Sequence, residues 1–150
     1  MIIVDSREKK WDHIQAYFEK NRVEYTVHKL DVGDYLNTSH AGIVIDRKRN
    51  LQELCSNLSK GDENIVRFTK EASRAKAANY RFIVLIEGTN CNVPKDVLGW
   101  KSKYSKHSGR WLYDKMFNLT VGYGVEWQFC KKNETAKRIL EILKYDGRGN

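Results

Sequence analysis

A chain of 150 residues, 41% hydrophobic and 31% charged, has the make-up of one ordinary globular domain long enough to bury a core. Its 27 Lys and Arg against 19 Asp and Glu leave a net charge of +8, which favours a polyanionic partner, nucleic acid first. The longest apolar run, 82–86, is too short to span a membrane, and the scattered cysteines Cys55, Cys91 and Cys130 lack metal or disulfide spacing, so a reduced, intracellular protein is expected.

In chain order, residues 2–4 are apolar and close on Asp5, as a first strand of a buried sheet does. Trp11, Ile14 and Phe18 share one helical face. Over 23–30, Val23, Tyr25 and Val27 alternate with Glu24, Thr26 and His28, which predicts a half-buried strand. The turn in "DVGDYLN" leads to another strand and 42–46 to the next, with connections short enough for antiparallel hairpins. Asn50 stands where an N-cap belongs, ahead of Leu51, Leu54 and Leu58.

A helix is predicted over 63–77. Ile65, Phe68, Ala72 and Ala75 form its apolar stripe, and Arg67, Lys70 and Arg74 a basic one. Residues 82–86 contain nothing polar and read as a central strand. The segment 88–109 is the least patterned and reads as a mobile loop carrying Lys101, Lys103 and Lys106. Leu112, Met116 and Leu119 mark a helix over 108–122, residues 125–129 a last strand, and Asn133 the cap of a closing helix. A frayed tail is expected over 146–150. The order β-α-β-β-β-α-α-β-α-β-α, without repeat or linker, predicts one α/β domain over 1–150, a central mixed sheet with helices on both faces.

The strand in "GIVIDRKRNL" ends in Asp46, Arg47 and Lys48, charges that are costly to bury. Residues i and i+2 of a strand point the same way, so Asp46 and Lys48 share a face. If the two strands pair, Asp34 can converge on Asp46. Two such carboxylates remain ionised together with a cation between them, and hard oxygen ligands suit Mg²⁺ or Mn²⁺. Lys48 could then orient or deprotonate a water, or neutralise charge developing on a phosphate. Taken alone, the triplet is more commonly a strand-end ion pair.

The motifs "VDSRE", "GDY" and "IDRKRNLQEL", in that order, resemble the nuclease domain of XPF and its Mus-type relatives, structure-specific endonucleases of DNA repair and recombination with a restriction-endonuclease-like PD-(D/E)xK fold. The likeness continues through "RFTKEASRAKAANYRFIVLIEG" and "NETAKRILEIL", so it spans nearly the whole chain. It implies a Mg²⁺- or Mn²⁺-dependent endonuclease acting on branched or flap-containing DNA, with a homodimer as one possible state. Residue by residue, it implies that Asp34 is a metal ligand and that Asp46 is another, standing where the family has Glu. Arg47 and Lys48 match the family's Arg and Lys. Asp5, Arg7 and Glu8 match an opening motif that helps position metal or substrate. Glu53 stands in for a downstream Asp at one residue's greater distance. It also places the basic stripe of Arg67, Lys70 and Arg74 near DNA; Lys101 and Lys103 of the unpatterned segment are further candidate contacts by their charge alone.

These 150 residues carry neither the helicase nor the tandem helix-hairpin-helix module common in the family, as expected of a free-standing phage or mobile-element nuclease. Two rival readings are an inactive DNA-binding or dimerisation module and a phosphodiesterase acting on RNA. Glu87 reads as a strand-end polar residue more readily than as a site acid. Trp100, Tyr104 and Trp111 sit among lysines; such aromatics are more often core or loop anchors than platforms for bases.

Overall fold

The computed structural model describes residues 1–60 and 63–147. Six strands form one sheet: β1 Ile2–Asp5, β2 Tyr25–His28, β3 Tyr35–Asn37, β4 Ile43–Lys48, β5 Arg81–Ile86 and β6 Glu126–Phe129. Five helices accompany them: α1 Asp12–Lys20, α2 Leu51–Leu58, α3 Asn64–Ala77, α4 Gly109–Tyr123 and α5 Thr135–Ile142. The spatial order is β2-β1-β3-β4-β5-β6, and β3 alone runs against its neighbours. The α/β architecture and element order are those expected from the sequence. No helix among the described residues is long and apolar enough to cross a membrane.

Strand β4 shows why both faces need cover. Ile43 and Ile45 point into a core with Ile2, Val4, Ile83 and Leu85, roofed by Ile14 and Phe18 of α1 and Ile139 of α5. Val44 points the other way, into a core with Val84 and Ile86 beneath Leu54, Phe68 and Leu112 of α2, α3 and α4. Burial on both faces explains why β4 and β5 read as continuous apolar runs.

Three local expectations are corrected. The 23–30 segment contributes only the short edge strand β2, most of it exposed. Instead of making a hairpin with β3, it pairs parallel to β1, because α1 provides the crossover a parallel pair needs. Asn133 does not cap α5: a 3₁₀ turn over Lys132–Glu134 intervenes and Glu134 holds the cap position. The 88–109 segment is tied down rather than loose, with a 3₁₀ helix over Pro94–Gly99 and a bridge between Lys101 and Ser108. Asn50 caps α2 as expected, accepting the Glu53 N–H at 2.7 Å. Of the tail expected to fray, Asp146 and Gly147 are exposed and 148–150 lie outside the described residues.

Strands β1, β4 and β5 all finish at one edge of the sheet, where the antiparallel β3 begins. Asp5, the Asp46–Lys48 triplet, Glu87 and Asp34 are gathered there by topology alone. The carboxyl ends of parallel strands are where open α/β sheets bind ligands.

Candidate active site

The site is built on the β3–β4 register. Tyr35 pairs with Ile45, so one residue beyond that pair Asp34 lies level with Asp46. Gly33 makes the turn possible: its φ is +71°, and a Cβ there would lie 2.6 Å from Val44 Cγ2 and 2.9 Å from the Ile45 carbonyl. The Arg47 N–H donates to Asp34 Oδ2 at 2.8 Å, which fixes the carboxyl.

Asp34 and Asp46 touch through their carboxyls. Burial, followed by the charges of Asp46 and Glu8 and the hydrogen bond with Asp46, pushes the Asp34 pKa well above the usual carboxylate range. The Arg47 N–H opposes that shift. Two carboxyls this close and this buried repel as anions, so the pair favours a cation between them or a proton shared across it. Asp46 is 5% exposed, and its Oδ2 is buried without a hydrogen bond. That oxygen lies 3.1 Å from Lys48 Nζ, within ion-pair reach but at an angle that makes no hydrogen bond. Burial alone would lower the Lys48 pKa, but Asp46 and Asp34 outweigh it and raise the value, so Lys48 is held as a cation. Its ammonium also sits 5.6 Å from the centre of the Phe68 ring. A protonated Lys48 suits charge stabilisation.

The cleft over these residues has a volume of about 210 Å³. Among the described residues, no three His, Cys, Asp or Glu side chains are grouped as a metal-binding set. The donors at hand are Asp34 and Asp46. Two carboxylates with open positions left over fit Mg²⁺, which usually keeps several waters. The buried Asp46 Oδ2, ion-paired to Lys48 but accepting no hydrogen bond, is the observation that supports the fit.

The other sequence candidates divide. Arg47 and Glu8 line the same cleft, but the Arg47 guanidinium is taken up by Glu8 at 2.9 Å, Glu87, and the Lys9 and Lys10 carbonyls at 2.7 and 3.3 Å. Asp5 accepts two hydrogen bonds from Arg7 and one from the Leu30 N–H. Both are fully engaged in holding loops, and Glu8 is engaged with Arg47. Arg7 lines the cleft while paired to Asp5. Glu53 lines it too, but its carboxylate takes three hydrogen bonds from Arg49. Glu87 also meets His13 at 3.0 Å.

Arg67, Lys70 and Arg74 do share one face, and with Lys48 they line a groove of about 420 Å³. Lys101 and Lys103 lie apart from them, on a second pocket beside Trp100 and Tyr104. Glu71 is a residue that sequence reading overlooked. Its Oε2 accepts the Gly33 N–H at 3.0 Å, bracing the turn that carries Asp34. Burial and then Asp46 raise its pKa, against the Gly33 N–H, Lys48 and Arg74. The available signal was an acid inside a basic stripe, four residues from Arg67.

The sequence model of the ERCC4 domain matches residues 4–142. The chain belongs to the ERCC4 domain family. XPF from Aeropyrum pernix has the same fold, with a TM-score of 0.71 at 23% identity over 98% of this chain and 61% of that one. XPF from Aeropyrum pernix in complex with DNA aligns with a TM-score of 0.67 and 24% identity, over 95% of this chain and 62% of that one. The present ERCC4 domain thus spans about three-fifths of the length of those chains. No curated protein sequence is significantly similar to it.

Proposed function

We propose that this ERCC4 domain is a metal-dependent endonuclease that hydrolyses DNA phosphodiester bonds at branched or single/double-strand junctions. The observation that carries the reading is the Asp34–Asp46 pair, with a buried Asp46 oxygen that lacks a hydrogen bond and Lys48 3.1 Å away. Family membership and a like-folded XPF in complex with DNA support it, as does the basic groove that opens beside Lys48.

Asp34 and Asp46 would hold the cation through hard oxygens, and Mg²⁺ or Mn²⁺ there would supply Lewis-acid polarisation of a phosphoryl oxygen and a more acidic water. Lys48 sets a positive charge where negative charge grows on the phosphate. Arg47 orients Asp34 through its N–H and fixes Glu8 and the Lys9–Lys10 backbone through its guanidinium. Asp5 and Arg7 clamp Leu30, at the foot of the loop that leads to Gly33.

One observation favours a second reading, a DNA-binding module that does not cut: Glu53, the natural third acid, is occupied by Arg49. Incubation of the protein with labelled flap, fork and duplex DNA, and with RNA, in Mg²⁺ or EDTA separates the two. Mg²⁺-dependent cutting of junction DNA is expected. Binding without cutting would favour the second reading, and preferential cutting of RNA would overturn the DNA assignment.

A further inference from the structure

The catalytic cleft lies between two unlike grooves. It shares Lys48 and Asn57 with the groove of Arg67, Lys70 and Arg74. It shares Arg49 and Glu53 with the pocket of Trp100 and Tyr104. The first groove is lined with cations, and its one aromatic residue, Phe68, is buried in the core. The second has a volume of about 740 Å³ and offers the Tyr104 ring and the edge of Trp100, which is half-buried against the core, together with Arg49, Lys101 and Lys103.

Tyr104 is 83% exposed, and among the described residues its ring stacks on no other. Trp111 differs: it stacks on His107 at 3.6 Å and lies beneath Lys115. On a loose loop such a ring would have no fixed position. This loop is not loose. The buried Ser102 hydroxyl donates to Gln52 of α2 at 3.0 Å and accepts the N–H groups of Tyr104 and Ser105 at 3.2 and 3.1 Å. The Lys103 N–H reaches the same Gln52 oxygen at 3.3 Å. Beneath it, Gly109 packs so closely on the 3₁₀ helix that a Cβ would lie 2.2 Å from the Val97 carbonyl. The ring is thus displayed by a fixed backbone, the preorganisation that lowers the cost of binding.

We propose that the Trp100–Tyr104 pocket is a stacking subsite for unpaired nucleotides of a single-stranded arm entering the cleft. Aromatic faces with flanking cations hold single strands without reading sequence, because every base has a π-face. The asymmetry of the two grooves then supplies structure selectivity: phosphates of a paired arm on the α3 side, splayed bases on the Tyr104 side. This inference rests on the endonuclease reading.

The test compares the wild type, Tyr104→Ala and Tyr104→Phe in Ca²⁺, on a blunt duplex and on a fork carrying a fluorescent purine analogue in its unpaired arm. Tyr104→Ala should weaken fork binding about tenfold and abolish quenching of the analogue, while Tyr104→Phe retains both. Blunt-duplex affinity should be the same in all three proteins. Equal weakening on fork and duplex, or undiminished quenching in Tyr104→Ala, would overturn the subsite and leave the endonuclease reading standing. A wild type that binds neither DNA would overturn both.

Discussion

Arg47 and Lys48 are adjacent cations on one strand, and they sit in opposite circumstances. Arg47 has a side chain 1% exposed and a guanidinium bound by two carboxylates and two carbonyls drawn from the β1–α1 loop and the end of β5. Lys48 faces a cleft, beside a carboxylate oxygen that has no hydrogen bond and another carboxyl whose pKa burial and Asp46 push upward. A saturated network in low dielectric fixes geometry. An unsatisfied one stores the capacity to bind something else. The alternation of side chains along β4 separates scaffold from chemistry within three residues.

The largest effect that should sharpen this contrast is on stability. Arg47→Leu leaves Glu8 without its cation and Glu87 with His13 alone, and a loss of about 3–5 kcal/mol is expected in urea denaturation. Arg47→Lys should not rescue it, because an ammonium cannot match the planar fork. A stable Arg47→Leu protein would erase the distinction between the two cations.

Next comes the open side. Asp46→Asn keeps the shape and removes the charge. Cleavage of junction DNA should fall by about 100-fold or more, the scale of losing a key electrostatic group, with DNA affinity retained. Equal loss of cutting and binding would return Asp46 to a structural role.

A smaller effect has the opposite sign. The Asp34 pKa is raised on folding, so between its unfolded and folded values the native state holds a proton that the unfolded chain has lost. Stability therefore decreases as pH rises through that window. Asp34→Asn removes the penalty, and its amide can still donate to Asp46. In metal-free buffer near neutral pH, the variant should be more stable than the wild type in urea denaturation, and the gain should shrink as the pH is lowered. A variant less stable than the wild type in EDTA would contradict this.

The smallest effect lies on the α3 groove. Each of Arg67→Ala, Lys70→Ala and Arg74→Ala should reduce the slope of log K against log salt by about 0.9 on duplex DNA, with no change in sequence preference. An unchanged slope in the triple variant would make this face merely solvated and leave the Lys101–Lys103 side to hold DNA.

Much of this contrast is written in local sequence. Strand parity places Asp46 with Lys48 and against Arg47, and the Gly33–Asp34 turn announces the partner carboxylate. What parity cannot give is the set of partners. Arg47 is satisfied by groups about 40 residues away on both sides, so nothing near it foretells saturation. Glu71 braces Gly33 across 38 residues, and Ser102 reaches Gln52 across 50. The edge strand β2 was misplaced for a related reason: alternation reports burial on one face, while the choice of neighbour is set by the α1 crossover. Asn133 failed as a cap because a 3₁₀ turn can take up a helix start without changing the apolar spacing behind it.

Calorimetric titration of Mn²⁺ into the metal-free protein tests the central claim most directly, performed in two buffers of different ionisation enthalpy. The Asp34 pKa is raised by burial and by Asp46, so a cation bound at the Asp34–Asp46 pair competes with protons there. One cation should bind, with proton release that grows, and affinity that falls, as the pH is lowered from about 8 to about 6. Asp46→Asn should abolish both heat and proton release while the protein remains folded. Binding unaffected by that substitution, or no binding at all, would contradict the assignment.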